Sequence, residues 1–180
     1  MDRRALLGWA LGAATLPALA QRGYDVMPWP AGQPVPALSA PDLLGRPWTL
    51  EALRARVVVL NFWATWCPPC RAEMPSLQQL AQSYAPDTLQ VLALNVGESP
   101  ARIVQYLRSS GLQLNVLLDP MKEAARAWGA SVLPTTILID PEGRPRQRVR
   151  GELDWSGREA MALVEPLLRG RPQRASGVST

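Results

Sequence analysis

"VVVLNFWATWCPPCRAEMPSLQQLAQSY", residues 57 to 84, changes its period half-way along. From Arg56 to Phe62 the residues are β-branched and nearly all apolar, which predicts a strand buried on both faces inside a parallel sheet. Past Arg71 the apolar positions Met74, Leu77, Leu80, Ala81 and Tyr84 recur at helical spacing, with Gln78, Gln79, Gln82 and Ser83 on the opposite face. At the junction stand the only two cysteines of the chain, Cys67 and Cys70, with two prolines between them.

The prolines place the start of the helix. A residue before proline is pushed away from helical dihedrals, so Cys67 should be the N-cap and Pro68 the first helical residue. An N-cap side chain accepts from the second or third amide of the helix, and Pro69 has none. Only the amide of Cys70 remains to serve the Cys67 sulfur. At that position Cys67 meets the positive end of the helix dipole, which favours thiolate over thiol and makes Cys67 the expected nucleophile. Cys70, one turn inside the helix, is the expected resolving thiol.

Working outward, the chain of 180 residues with 47% hydrophobic content supports one well-packed domain. There is no histidine, which removes Ser-His-Asp and Cys-His catalysis and every His-bearing zinc site. The net charge of +4 comes from arginines scattered along the sequence. No basic stripe interleaved with aromatics is present, so no nucleic-acid partner is expected.

Residues 1–20 read as an export signal, with Asp2-Arg3-Arg4 as a charged start, an apolar stretch from Ala5 to Leu16, and Ala18-Leu19-Ala20 as the cleavage site. The apolar stretch is short for a membrane span, so an uncleaved anchor is the lesser alternative. Residues 21–34 form an extended Pro/Gly-rich arm, residues 35–170 the domain, and residues 171–180 a disordered tail. Within the domain the sequence predicts a hairpin turning at Gly45-Arg46 and strands over 89–96, 114–118, 135–140 and 146–151. Helices are predicted from Pro100 to before Gly111, from Pro120 to Trp128, and from Trp155 to Arg169. Strands alternating with helices and finishing in a hairpin imply an α/β sandwich around a mixed sheet.

Taken alone, the cysteine pair allows several readings. A structural bridge would close too small a loop to restrain the unfolded chain much. Zinc would need a second Cys or His pair, which the sequence lacks. A two-thiolate copper(I) site, with Met74 or Met27 as an extra soft ligand, stays open and would make the protein a copper carrier.

The motif "FWATWCPPCRAEMP" (62–75), with "LNVGES" (94–99), "VLPTTILID" (132–140) and Gly151, resembles the TlpA/ResA-like thiol-disulfide oxidoreductases of the thioredoxin superfamily, which include the CcmG group. The resemblance spans about Val35 to Leu168. It implies a thioredoxin-like α/β fold with a central mixed sheet, an extra strand-helix insert between Cys67 and Pro134, and an N-terminal β-hairpin. It implies a protein-disulfide oxidoreductase whose redox agent is the Cys67–Cys70 disulfide, with no other cofactor. It also implies a periplasmic monomer that reduces client protein disulfides, as in apocytochrome c or copper-site maturation, and is recharged by a membrane electron donor. Peroxiredoxin-like peroxidases share the insert, but generally need a peroxidatic cysteine outside a Cys-x-x-Cys.

By the same resemblance Pro134 is a cis-proline after Leu133, Glu73 is a carboxylate serving proton transfer at the buried thiol, and Pro75 is a helix-kinking proline. Trp66, Pro68, Leu133 and Thr135 are expected to bind the client. Where thioredoxins proper carry aspartate, this chain has Asn61, which cannot relay a proton. That puts more of the expected proton traffic on Glu73.

Overall fold

The computed structural model describes residues 23–170, so the export segment and the terminal tail lie outside the described residues. In chain order the elements are β1 (Tyr24–Pro28), a hairpin of β2 (Ser39–Pro41) and β3 (Pro47–Thr49), a short 3-10 turn (Glu51–Leu53), and β4 (Val57–Trp63). Then follow α1 (Pro68–Ser83), β5 (Leu89–Val96), α2 (Pro100–Ser110), β6 (Val116–Asp119) and α3 (Glu123–Ala127). β7 (Thr135–Ile139), β8 (Pro145–Gly151) and α4 (Arg158–Arg169) complete the chain.

Six strands form one sheet in the order β1-β8-β7-β4-β5-β6. β5 is parallel to both β4 and β6, while β7 runs antiparallel to β4 and β8. The sheet is mixed and the fold is thioredoxin-like, with two strands and two helices, β5, α2, β6 and α3, between α1 and Pro134. β4 and β5 are buried along their whole length, which is why their sequences run apolar without alternation.

Alternate residues of β4 feed two cores. Val57, Val59 and Trp63 pack with Met74 and Leu77 of α1, Ile103 of α2 and Val164 of α4. Val58, Leu60 and Phe62 pack on the other side with Leu38 and Leu50 of the hairpin region and Trp128 after α3. Each such buried aliphatic side chain contributes about 1.5–3 kcal/mol. The sheet thus holds the end of β4, and with it Cys67, from both faces.

Two details depart from the sequence reading and one adds to it. Within the Pro/Gly-rich arm, residues 24–28 are an outer strand paired with β8 from Tyr24↔Gly151 to Pro28↔Gln147, followed by a turn at residues 31–32. An edge strand with one neighbour needs little apolar alternation, so composition alone hid it. The hairpin turn is held by Asp42, whose carboxylate accepts from the amides of Leu44 and Arg46 and from the Arg46 guanidinium and Trp48 indole. Burial opposes its charge, yet these bonds hold its pKa at about 2. The helix expected from Pro120 begins only at Glu123, because Lys122 is left-handed (φ 58, ψ 27) and the Asp119 carboxylate accepts from the amides of residues 123–125. Among the described residues no helix is long and apolar enough to cross a membrane.

Gly151 shows how tightly β1 and the site share backbone. Its φ is 97°, its amide donates to Pro134 O at 3.0 Å, and a Cβ there would collide with Gly23 O. Gly151→Ala is expected to lower stability by at least about 2 kcal/mol, through a disfavoured dihedral as well as the clash. The drop in the urea midpoint measures it.

Candidate active site

Cys67 and Cys70 form a disulfide with Cα atoms 5.3 Å apart. Cys67 is the N-cap of α1, with extended dihedrals (φ −92, ψ 106), and Pro68 and Pro69 fill the first two helical positions. Its sulfur accepts from the Cys70 amide at 3.3 Å, the one donor that the prolines leave in that turn. Cys70 has no exposed surface and Cys67 keeps 3%, so Cys67 is the outward member of the pair.

One turn further along α1, Glu73 is only 2% exposed. Its carboxylate accepts from Asn61 Nδ2 at 2.6 Å, from the Leu153 amide at 3.3 Å and from Trp155 Nε1 at 3.3 Å. Burial nevertheless pushes its pKa from 4.5 up to about 7, and the charge of Glu152 adds to the rise. The acid therefore changes charge near neutrality. Asn61 suits both states: its amide N–H donates to the carboxylate, and turned over, its carbonyl oxygen could accept from the protonated acid. Glu73 also borders a polar cavity of about 250 Å3 shared with Glu152 and Asp154, which offers a route for protons to solvent.

The loop ahead of Cys67 is tied down by Glu98, a residue that the sequence reading quoted within its motif without assigning it a role. The Glu98 carboxylate accepts from the Thr65 amide at 2.7 Å, the Thr65 hydroxyl at 2.6 Å and Asn95 Nδ2 at 2.8 Å, and pairs with Arg102 Nε at 2.9 Å. Burial opposes its charge, but these donors and the Arg102 charge hold its pKa below the ordinary glutamate value. Its stabilising effect is therefore present above the unfolded pKa and is lost as pH falls through the folded one. Glu98→Ala leaves the buried Thr65 amide without a partner and should cost about 1–3 kcal/mol at neutral pH. Chemical denaturation at neutral and acidic pH checks this, the deficit shrinking at the acidic end.

The Leu133–Pro134 bond is cis. Trp66 is 60% exposed and Val132, next to Leu133, is 55% exposed. Pro68 is exposed and Leu133 half-buried. The expected client-binding residues are thus partly brought together: Trp66 and Leu133 both line a cavity of about 480 Å3 with Val96, Ala125, Lys122 and Arg126. Thr135 is the exception. It is fully buried, its hydroxyl donating to Val132 O at 2.6 Å, so it offers a client no exposed side chain. Met74 is buried on α1, while Met27 lies on β1 opposite Arg148, three strands from β4 in the sheet order. Sequence reasoning also missed Trp155 and Leu153, because their bonds to Glu73 are long-range contacts that no local pattern marks.

A sequence profile of the AhpC/TSA family matches residues 31–148. The thiol-disulfide oxidoreductase ResA of Geobacillus thermodenitrificans is 35% identical over 122 residues, covering 68% of this chain and 70% of that protein. ResA of Bacillus subtilis is 34% identical over 136 residues, 75% and 76% of the two chains. Among solved structures, a secreted thiol-disulfide isomerase from Corynebacterium glutamicum superimposes with a TM-score of 0.70 at 26% identity, covering 84% of this chain and 95% of that one.

Proposed function

We infer from one premise, that this chain belongs to the AhpC/TSA family and is a protein-disulfide oxidoreductase like its ResA relatives, that its task is to reduce client disulfides in the periplasm. The supporting observation is the asymmetry of the pair: an outward sulfur at a helix N-terminus, a fully buried partner, and a buried acid one turn further on.

In the dithiol state the Cys67 thiolate attacks one sulfur of a client disulfide, and the other client sulfur leaves as a thiolate. Glu73, as carboxylate, takes the proton of the Cys70 thiol. The resulting Cys70 thiolate attacks the Cys67 sulfur of the mixed disulfide and expels the second client sulfur. The client gains two electrons, its two thiolates take up one proton by way of Glu73 and one from solvent, and the enzyme is left as the Cys67–Cys70 disulfide, its only redox agent. A membrane electron donor returns it to the dithiol. The client lies extended along the backbone beside Pro134, with Trp66, Pro68 and Leu133 around its cysteine.

The export signal read in residues 1–20 and the secreted relative in Corynebacterium support a location outside the cytoplasm. Thiols of apocytochrome c before haem attachment, or of a copper-site protein, are the proposed clients. The reducing direction is tested by acid-quenching cells of the native host and alkylating free thiols. Most of the protein should be found as dithiol, and should shift to disulfide when the supply of reductant to the envelope is cut. A steady-state pool mostly in the disulfide form would reverse the direction.

A further inference from the structure

We propose that the cavity beside the disulfide selects acidic clients: segments in which an apolar side chain next to the reacting cysteine is flanked by a carboxylate, which Lys122 and Arg126 hold. This rests on the thiol-disulfide exchange reading above and adds the chemical class of the substrate.

The cavity begins at Trp66, one residue before Cys67, and reaches Leu133, the first residue of the cis bond. A client chain bonded to Cys67 therefore passes its neighbouring residues over this space. About 480 Å3 walled by Trp66, Val96, Ala125 and Leu133 suits one or two apolar side chains. Trp66 itself is exposed, as are Met121 and Val132, the sequence neighbours of the lining residues Lys122 and Leu133.

The charged groups lining the cavity are both cations. No carboxylate lines it, and among the described residues neither Lys122 nor Arg126 has an ion pair or side-chain hydrogen bond. The two acids nearest in sequence do not neutralise them. Asp119 is occupied in capping α3, and Glu123 makes no ion pair. By contrast Arg102, across the active-site loop, is committed to Glu98. Two unpaired cations at the edge of an apolar hollow complement an anion adjoining an apolar group.

Lys122 carries a second mark of selection. It is the only lysine of the chain, and it occupies a left-handed position (φ 58) that a glycine or asparagine would take without strain. Its side chain lies across Gly97, where a Cβ would strike Lys122 Cε. The missing Cβ of Gly97 makes room for the lysine beside the cavity, and the backbone holds a costly dihedral to present it.

The test compares three short peptides carrying a cysteine in mixed disulfide with a fluorogenic thiol, of sequence Asp-Leu-Cys, Asn-Leu-Cys and Lys-Leu-Cys, with the reduced purified protein. The acidic peptide should react with kcat/KM about tenfold above the neutral one, the worth of one charge-assisted hydrogen bond, and the basic peptide below it. The acidic advantage should shrink with added salt. In Lys122→Asn/Arg126→Gln, chosen because asparagine tolerates the left-handed backbone, the acidic-to-neutral ratio should fall to about one. Arg126→Gln alone should give an intermediate ratio. Equal rates for the three peptides in the wild type, or an acidic preference that survives the double substitution, would overturn the proposal. A small uncharged disulfide separates the two claims: if the wild type does not reduce it, the exchange reading itself fails.

Discussion

Cys70→Ser is expected to accumulate as a covalent adduct with client protein, joined through Cys67, while Cys67→Ser forms no adduct at all. The reason is positional. Cys67 is the outward sulfur, placed at the N-terminus of α1 where the dipole and the Cys70 amide favour a negative sulfur. Cys70 has no exposed surface, so a client sulfur cannot reach it first. Without the buried thiol the first exchange still runs and the second cannot, which leaves the mixed disulfide trapped. Cys67→Ser should lower disulfide reduction at least about a thousandfold, because the covalent route has lost its nucleophile. Non-reducing electrophoresis of both variants after incubation with an oxidised client distinguishes them. Adducts of Cys67→Ser through Cys70 would reverse the assignment.

Glu73→Gln carries the second large effect, and it appears in two pH profiles. Below pH 4.5 the Glu73 carboxyl is protonated whether the chain is folded or not. Between 4.5 and about 7 the unfolded chain releases that proton while the folded one, raised by burial, keeps it. The folded state then binds more protons, so stability falls with rising pH across this window, and the whole penalty is present above it. From a shift of that size the penalty is about 3 kcal/mol. Relative to Glu73→Gln, the wild type should therefore lose about that much stability between acidic and mildly alkaline pH. In the resolving step the carboxylate takes the Cys70 proton, so wild-type resolution should rise through pH 7. Glu73→Gln should lack that rise and fall about a hundredfold behind at pH 8. A residue of purely structural importance would change the stability profile and leave the pH dependence of resolution intact.

Proline, glycine and hydrophobic periodicity make legible whatever they fix locally. Pro68 and Pro69 set Cys67 as N-cap, Ser99-Pro100 and Gly111 bounded α2, and the apolar run of residues 89–96 matched β5 in full. The cis bond at Pro134 was legible only through the family motif around it. Groups that act across the fold left no local trace. Glu98 sits in an ordinary loop until Thr65, Asn95 and Arg102 converge on it, and Trp155 looks like a helix-start residue until its indole is found on Glu73. The burial of the Thr135 side chain left no local trace either: β7 pairs with β4 and β8 at that position, and the hydroxyl donates back to Val132 of its own loop.

Exchange of electrons between the Cys67–Cys70 pair and a client disulfide can be followed step by step. The reduced protein is mixed with an oxidised protein substrate, quenched in acid at intervals, and analysed by intact mass and peptide mapping. A transient adduct linked through Cys67 is expected, followed by a Cys67–Cys70 disulfide formed in step with the loss of the substrate disulfide. Reduction of the substrate without an adduct at Cys67, or persistence of the free dithiol beside an unreduced substrate, would contradict this exchange.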